Sequence, residues 1–283
     1  MAEMKDKAGE GATWKPYDRP SKAFTATVLT VFCIILGFPL IGMLYFTFRS
    51  STGGFTIGHW AELFASSTTD IWDSLGSGLV NSLLLVALTI LIEYAVVIPA
   101  IILIDVRFPR VQRKMRIFML LPIAIPAIIL VVGLAPIFSV LSEFLGSGTW
   151  TLAFAYGIIA MPFVYTTIAS DLDGMNAKTL TQAAESLGAS WWRTLIDIIV
   201  PSLRRSISSV TLITAAIVLG EYTIASLLNR ETLQTDLVMI SQSDVYLSVI
   251  ITFIVLVVTF VALFLVSGIG RGTRKSRSGE KTI

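Results

Sequence analysis

The chain has 283 residues, 54% of them hydrophobic and only 14% charged, with a formal net charge of +2. Soluble domains carry about 25% charged residues, and the apolar residues here fall in long blocks, so the composition excludes an ordinary soluble core and calls for several membrane spans. A single cysteine, Cys33, excludes a disulfide framework within the chain and reads as a small buried apolar residue.

In chain order, residues 1–22 form a polar tail with Lys5, Lys7, Lys15, Arg19 and Lys22. Six apolar blocks follow, at 23–48, 79–104, 116–140, 150–170, 206–228 and 246–269. Each approaches the ~20 residues a helix needs to cross the hydrocarbon. The ~10-residue alternating strands of a membrane barrel are absent. The first block follows a polar tail and exceeds the roughly 7–15 apolar residues of a signal core, so it reads as a retained span. The expected fold is all-α: a six-span domain over 23–270, a loop at 171–205 and a basic tail at 271–283.

Charge sets the orientation. Of the 21 lysines and arginines, all but Arg49 and Arg230 fall in the two tails and in the loops after spans two and four. The excess of positive charge on cytoplasmic loops places both termini and the 171–205 loop in the cytoplasm. The basic tails read as anchors to anionic lipid rather than as a nucleic-acid surface.

Catalytic signals are weak. His59 is the only histidine, which excludes a multi-histidine metal site and leaves a triad with one candidate in an outer loop. The aspartates lie in loops or near span ends. No GxxxxGK[ST] phosphate loop exists, so the chain itself is not expected to bind ATP. "GIGRGTR" at 268–274 lacks the strand and helix of a dinucleotide site and reads as the exit of span six. The expectation is a protein that is not an enzyme.

The 171–205 loop is different in kind. "TLTQAAESLG" reads as a short helix, with Thr179 as N-cap and Gln182 as its capping-box partner. Ala183 and Ala184 permit close approach of another surface, Leu187 offers an apolar contact, and Gly188 suits the left-handed residue that ends a helix. A second helix begins near Ser190 with Trp191 and Trp192, rings suited to the membrane interface. Pro201 breaks or kinks the entry to span five. Such a helix either docks into a partner's groove or rests on the bilayer.

The spacing Gln182-Ala183-Ala184, Gly188, Ile198-x-Val200-Pro201 resembles the "EAA…G…I-x-L-P" signature of ABC importer inner-membrane permeases. "NSLLL" (81–85), "LPIAIP" (121–126) and "AYGIIAMPF" (155–163) add to the likeness, which covers roughly 23–270. Gln182 stands where the family usually has Glu, and Val200 where it has Leu. The resemblance implies a bacterial inner-membrane permease whose coupling helix is Thr179, Gln182, Ala183, Ala184, Leu187 and Gly188. It implies two ATPase copies that bind ATP and Mg, a second homologous permease and an extracytoplasmic solute-binding protein. No cofactor is expected on this chain. "GEYTIASLL" looks most like the polyamine-type branch, so a small organic cation is the expected solute. The alternatives are a sugar, a phosphonate or another organic ion, or an ATP-independent channel. Glu221 and Tyr222 in span five and Glu93 in span two are the candidates for the solute path. An acid inside a span either meets the solute or bridges helices.

Overall fold

A computed structural model describes residues 21–50, 53–65 and 68–272, with the side chains of 109, 145 and 262–272 outside that description. The basic residues of both tails, save Lys22 and Arg271, therefore lie outside it. Among the described residues the secondary structure is helical, apart from one antiparallel bridge between Arg49 and Phe55.

The chain divides at Thr56 into two units. The first is built on α1 (Lys22–Thr47), whose N-cap Ser21 accepts a hydrogen bond from the Phe24 amide at 3.2 Å. The helix is apolar all round, as a helix in lipid is. Cys33 on α1 is exposed, not buried as expected, because such a helix turns most of its surface outward. Tyr45 meets Phe55 edge to face at 5.6 Å where the chain turns back.

The second unit opens with α2 (Gly58–Glu62) and a long rod. The rod runs from α3 (Thr69–Ile92) through a π-helical segment (Glu93–Val97) into α4 (Ile98–Arg107). Next come α5 (Pro109–Ala124) and α6 (Ala127–Leu145), separated at Ile125, whose ψ of 123° is extended. Pro126 explains that break: its ring disfavours helical geometry in the residue before it. A 3₁₀ turn (Thr149–Leu152) leads into α7 (Ala153–Gly174). Ala155, Gly157 and Ala160 are buried on α7, and such small residues let neighbouring backbones come close. Helices α3, α4, α5 and α11 (Arg204–Gly220) all pack on it.

The loop after α7 holds α8 (Ala177–Ser186) and α9 (Trp191–Thr194). A second π segment (Leu195–Ile199) and the single turn α10 (Val200–Ser202) then lead into α11 with a bend of 69°. Pro201, whose missing amide proton interrupts the helical hydrogen bonding, lies where the π segment gives way to α10, and the bend follows two residues on at Leu203. Beyond α11 lie α12 (Thr223–Leu227), α13 (Leu233–Ser243) and α14 (Val245–Gly272). Helix α13 packs on α3 so closely that a Cβ on Gly78 would overlap the Asp236 carboxylate.

The described helices match the expected spans in part. Four described helices are long and apolar enough to cross a membrane: Lys22–Thr47, Thr69–Arg107, Ala127–Phe144 and Thr149–Gly174. The bent pair Trp191–Ser202 and Arg204–Gly220 makes a fifth if it counts as one span. The expected third span loses its first part to the Pro126 break, and the expected sixth span is covered by the helix α14, Val245–Gly272. Span five ends at Gly220 rather than at 228.

Candidate functional site

Helix α8 starts earlier than its sequence suggests. Thr179 is its third residue, not its N-cap. The chain turns directly out of α7 at Asn176, which adopts φ 52°, ψ 52°. Asparagine is among the few residues that tolerate this left-handed geometry. The Asn176 carbonyl accepts from the Leu180 amide at 3.1 Å. The capping box between Thr179 and Gln182 is therefore absent, and Gln182 is an exposed residue whose carbonyl accepts from Ser186 Oγ at 2.8 Å.

The other end of α8 forms as expected. Gly188 has φ +85°. Its amide donates to the Glu185 carbonyl at 2.9 Å, and the Ala189 amide reaches back to the Ala184 carbonyl at 3.0 Å. These two bonds close the C-terminus of a helix around a left-handed residue. Ser190 then caps α9, its Oγ accepting from the Arg193 amide at 3.4 Å.

The two alanines separate. Ala184 is buried with Ala177 and Thr181 against the rest of this chain. Ala183 is exposed on the opposite side, with Thr179, Leu180 and Gln182. Adjacent helical residues point about 100° apart, so both could not face one partner squarely. Leu187, at the tip, is 89% exposed.

Charged groups lie along the inner edge. The Arg107 guanidinium pairs with Glu185 and lies 4.9 Å over the Trp191 ring. Lys178 Nζ donates to Gln112 Oε1 at 3.2 Å, and Gln112 Nε2 donates to the buried Asp105. Sequence reading passed over Arg107 and Glu185. The available signal was Glu185, a charge beside the buried Ala184 that calls for a cation on a neighbouring helix.

The solute-path candidates have other contacts. Glu93 is fully buried in the first π segment and accepts from Thr214 Oγ1 of α11 at 2.9 and 2.7 Å. Glu221 follows the end of α11 in extended conformation. Both of its carboxylate oxygens accept from the Ile224 amide, at 3.1 and 3.0 Å, at the start of α12. Tyr222 is 38% exposed. Glu93 and Glu221 thus bond to different elements.

Residues 97–275 match the family described as the binding-protein-dependent transport system inner membrane component, and the chain belongs to that family. The matched stretch contains α4, the whole α8–α9 loop and α11. A relative, the probable sulfate transport system permease protein cysT of Marchantia polymorpha, is 34% identical over 118 residues. That match covers 39% of this chain and 41% of the relative, so the chain spans about two fifths of the length of the curated relative it matches. The relative's name carries sulfate, an anion, and gives no support to the polyamine-type likeness read from "GEYTIASLL".

Proposed function

We propose that this chain is a permease subunit of an ABC importer and that α8, with its Gly188 turn, is the helix through which a separate ATPase drives it. The observation that carries this reading is the exposed tip of α8. Leu187 projects beyond a helix whose other face is anchored in its own chain, inside the region matched by the family. In this reading two ATPase copies bind ATP and Mg, close, and move α8. A second, homologous permease completes the path, and an extracytoplasmic binding protein delivers the solute. The permease performs no covalent chemistry, and nucleotide shifts it between two packings. Both termini lie in the cytoplasm, on the side of the basic loops.

The solute we favour is a small inorganic oxyanion such as sulfate. Two observations support it. The relative is named as a probable sulfate transport system permease. Both acidic candidates for a cation path already have partners within the chain, Glu93 through Thr214 and Glu221 through the Ile224 amide. The test is uptake of labelled sulfate into vesicles holding the complete complex with its binding protein. ATP-dependent uptake that survives Glu221→Gln is expected. Transport without ATP by the purified chain would replace the importer with a channel. ATP-driven uptake of an organic cation, abolished by Glu221→Gln, would overturn the oxyanion reading.

A further inference from the structure

Helix α8 is held to this chain at both of its ends, by Arg107 at the end of the Thr69–Arg107 rod and by Gln112 of α5, which itself bonds Asp105 of the rod. Near its C-terminus, Glu185 pairs with Arg107, the last residue of α4. The same guanidinium lies over Trp191, the first residue of α9, at 4.9 Å. One side chain thus joins α4, α8 and α9. Near the N-terminus of α8, Lys178 bonds Gln112, which in turn bonds Asp105 of α4. Lys178 and Glu185 are seven residues apart, roughly 10 Å along the helix axis. Two separated fixings stop a helix from pivoting, which one fixing does not.

Beneath these polar contacts the same elements share an apolar core. Ala177 of α8 packs with Ile101 and Ile102 of α4, and with Leu195 and Ile199 of the second π segment. At its far end α4 grows out of the first π segment, and that segment is bonded to α11. Glu93 accepts from Thr214, and the Tyr94 hydroxyl lies 2.5 Å from Thr211 Oγ1. Isolated π turns inside α-helices are frequent at functional positions.

We propose that Arg107 is a positioning residue that clasps α8 to α4, so that a push on α8 is delivered to the Thr69–Arg107 rod and through its π segment to α11. The proposal rests on the importer reading above. The pair is partly exposed, with Arg107 and Glu185 side chains 41% and 31% accessible. Exposed pairs contribute little to stability. The clasp instead sets where the α8 push goes. Glu185 is also turned to its own chain, which leaves the outer contact of α8 to Leu187 and the neutral face around Gln182 and Ala183.

The test uses the complete complex in vesicles and measures solute moved per ATP hydrolysed. Arg107→Gln and Glu185→Gln should each retain the co-purifying ATPase. Their solute-to-ATP ratio should fall about threefold or more, as when a coupling network loses a link. The charge-swapped double variant, Arg107→Glu with Glu185→Arg, should recover part of the ratio. Single variants with the parent's ratio overturn the clasp. So does a double variant no better than the worse single one, whether the singles fail in coupling or in assembly. A parent complex that hydrolyses no ATP and imports nothing marks the failure of the importer reading instead, and is separated from the clasp by that control.

Discussion

Helices α8 and α13 are of nearly equal length, 10 and 11 residues. They are built in opposite ways. Helix α13 has a true capping box: Thr232 and Thr235 exchange hydrogen bonds, with Thr235 Oγ1 accepting from the Thr232 amide at 2.8 Å. It packs on α3 and α14, burying Leu233, Leu237 and Ile240, and it encloses the Asp236 carboxyl. Helix α8 has no side-chain cap, buries only Ala177, Thr181 and Ala184, and ends in an exposed leucine. The comparison separates a helix packed into its own chain from one that keeps the exposed face we propose meets the ATPase. The first is stabilised by its own chain, and the second keeps an unfilled face.

The largest expected effect is at the turn that presents Leu187. Gly188 has φ +85°, and nothing lies within 4 Å of the position a Cβ would take, so only its backbone geometry opposes substitution. Gly188→Val imposes strain of about 1–3 kcal/mol. ATP-driven uptake by the reconstituted complex should collapse, while Gly188→Asn, which tolerates the left-handed region, should keep most of it. Equal uptake in the two variants would remove the turn from the account.

The paired alanines sharpen the contrast within α8. Ala184→Leu overpacks a buried position and should lower stability by roughly 1–3 kcal/mol, read as a lower melting temperature of the purified chain. Ala183→Leu should leave melting unchanged and weaken ATPase co-purification. The reverse pattern would mean that the two faces have been assigned the wrong way round.

At α13 the corresponding test is pH. Burial, with the nearby Glu231 charge, raises Asp236 from its ordinary value of 3.8 to about 6. A carboxyl whose folded value is raised adds stability while protonated. That contribution is complete below the ordinary value and is lost as pH climbs through about 6. The melting temperature should therefore fall from pH 5 to pH 8, and Asp236→Asn should flatten the fall. An identical slope in both proteins would show that Asp236 is ionised without penalty.

The smallest effects come from the two helix starts. Thr232→Ala removes a working cap and should destabilise by about 1 kcal/mol. Gln182→Leu removes no cap and should melt within about 0.5 kcal/mol of the parent, as exposed substitutions do. A comparable loss at both sites would restore the capping box once expected at α8.

Legibility in the sequence followed local chemistry. Gly188, Ser190 and Pro201 act where their backbone preferences say they should, because a left-handed turn, a cap and a helix break are decided within a few residues. Thr179 and Gln182 misled because their spacing imitates a capping box, while Asn176, three residues earlier, turns the chain first. "LPIAIP" was absorbed into one expected span, although Pro126 forces Ile125 out of the helix. The Arg107–Glu185 pair and the Glu93–Thr214 bond join residues 78 and 121 positions apart. No local pattern announces such pairs. Glu221 looked like an acid within a span because hydropathy continues past it, and its bond to the Ile224 amide depends on a break after Gly220 that hydropathy does not register.

The central claim is that the exposed end of α8 meets the ATPase. With Cys33→Ser removing the native thiol, Leu187→Cys and a cysteine-to-amine cross-linker of short span test it directly in the assembled complex. The account predicts a cross-link from position 187 to the ATPase subunit whose yield changes when ATP is added, with no such product from Ala184→Cys. A complex that hydrolyses ATP and transports solute, yet gives no ATPase adduct from position 187, would contradict it.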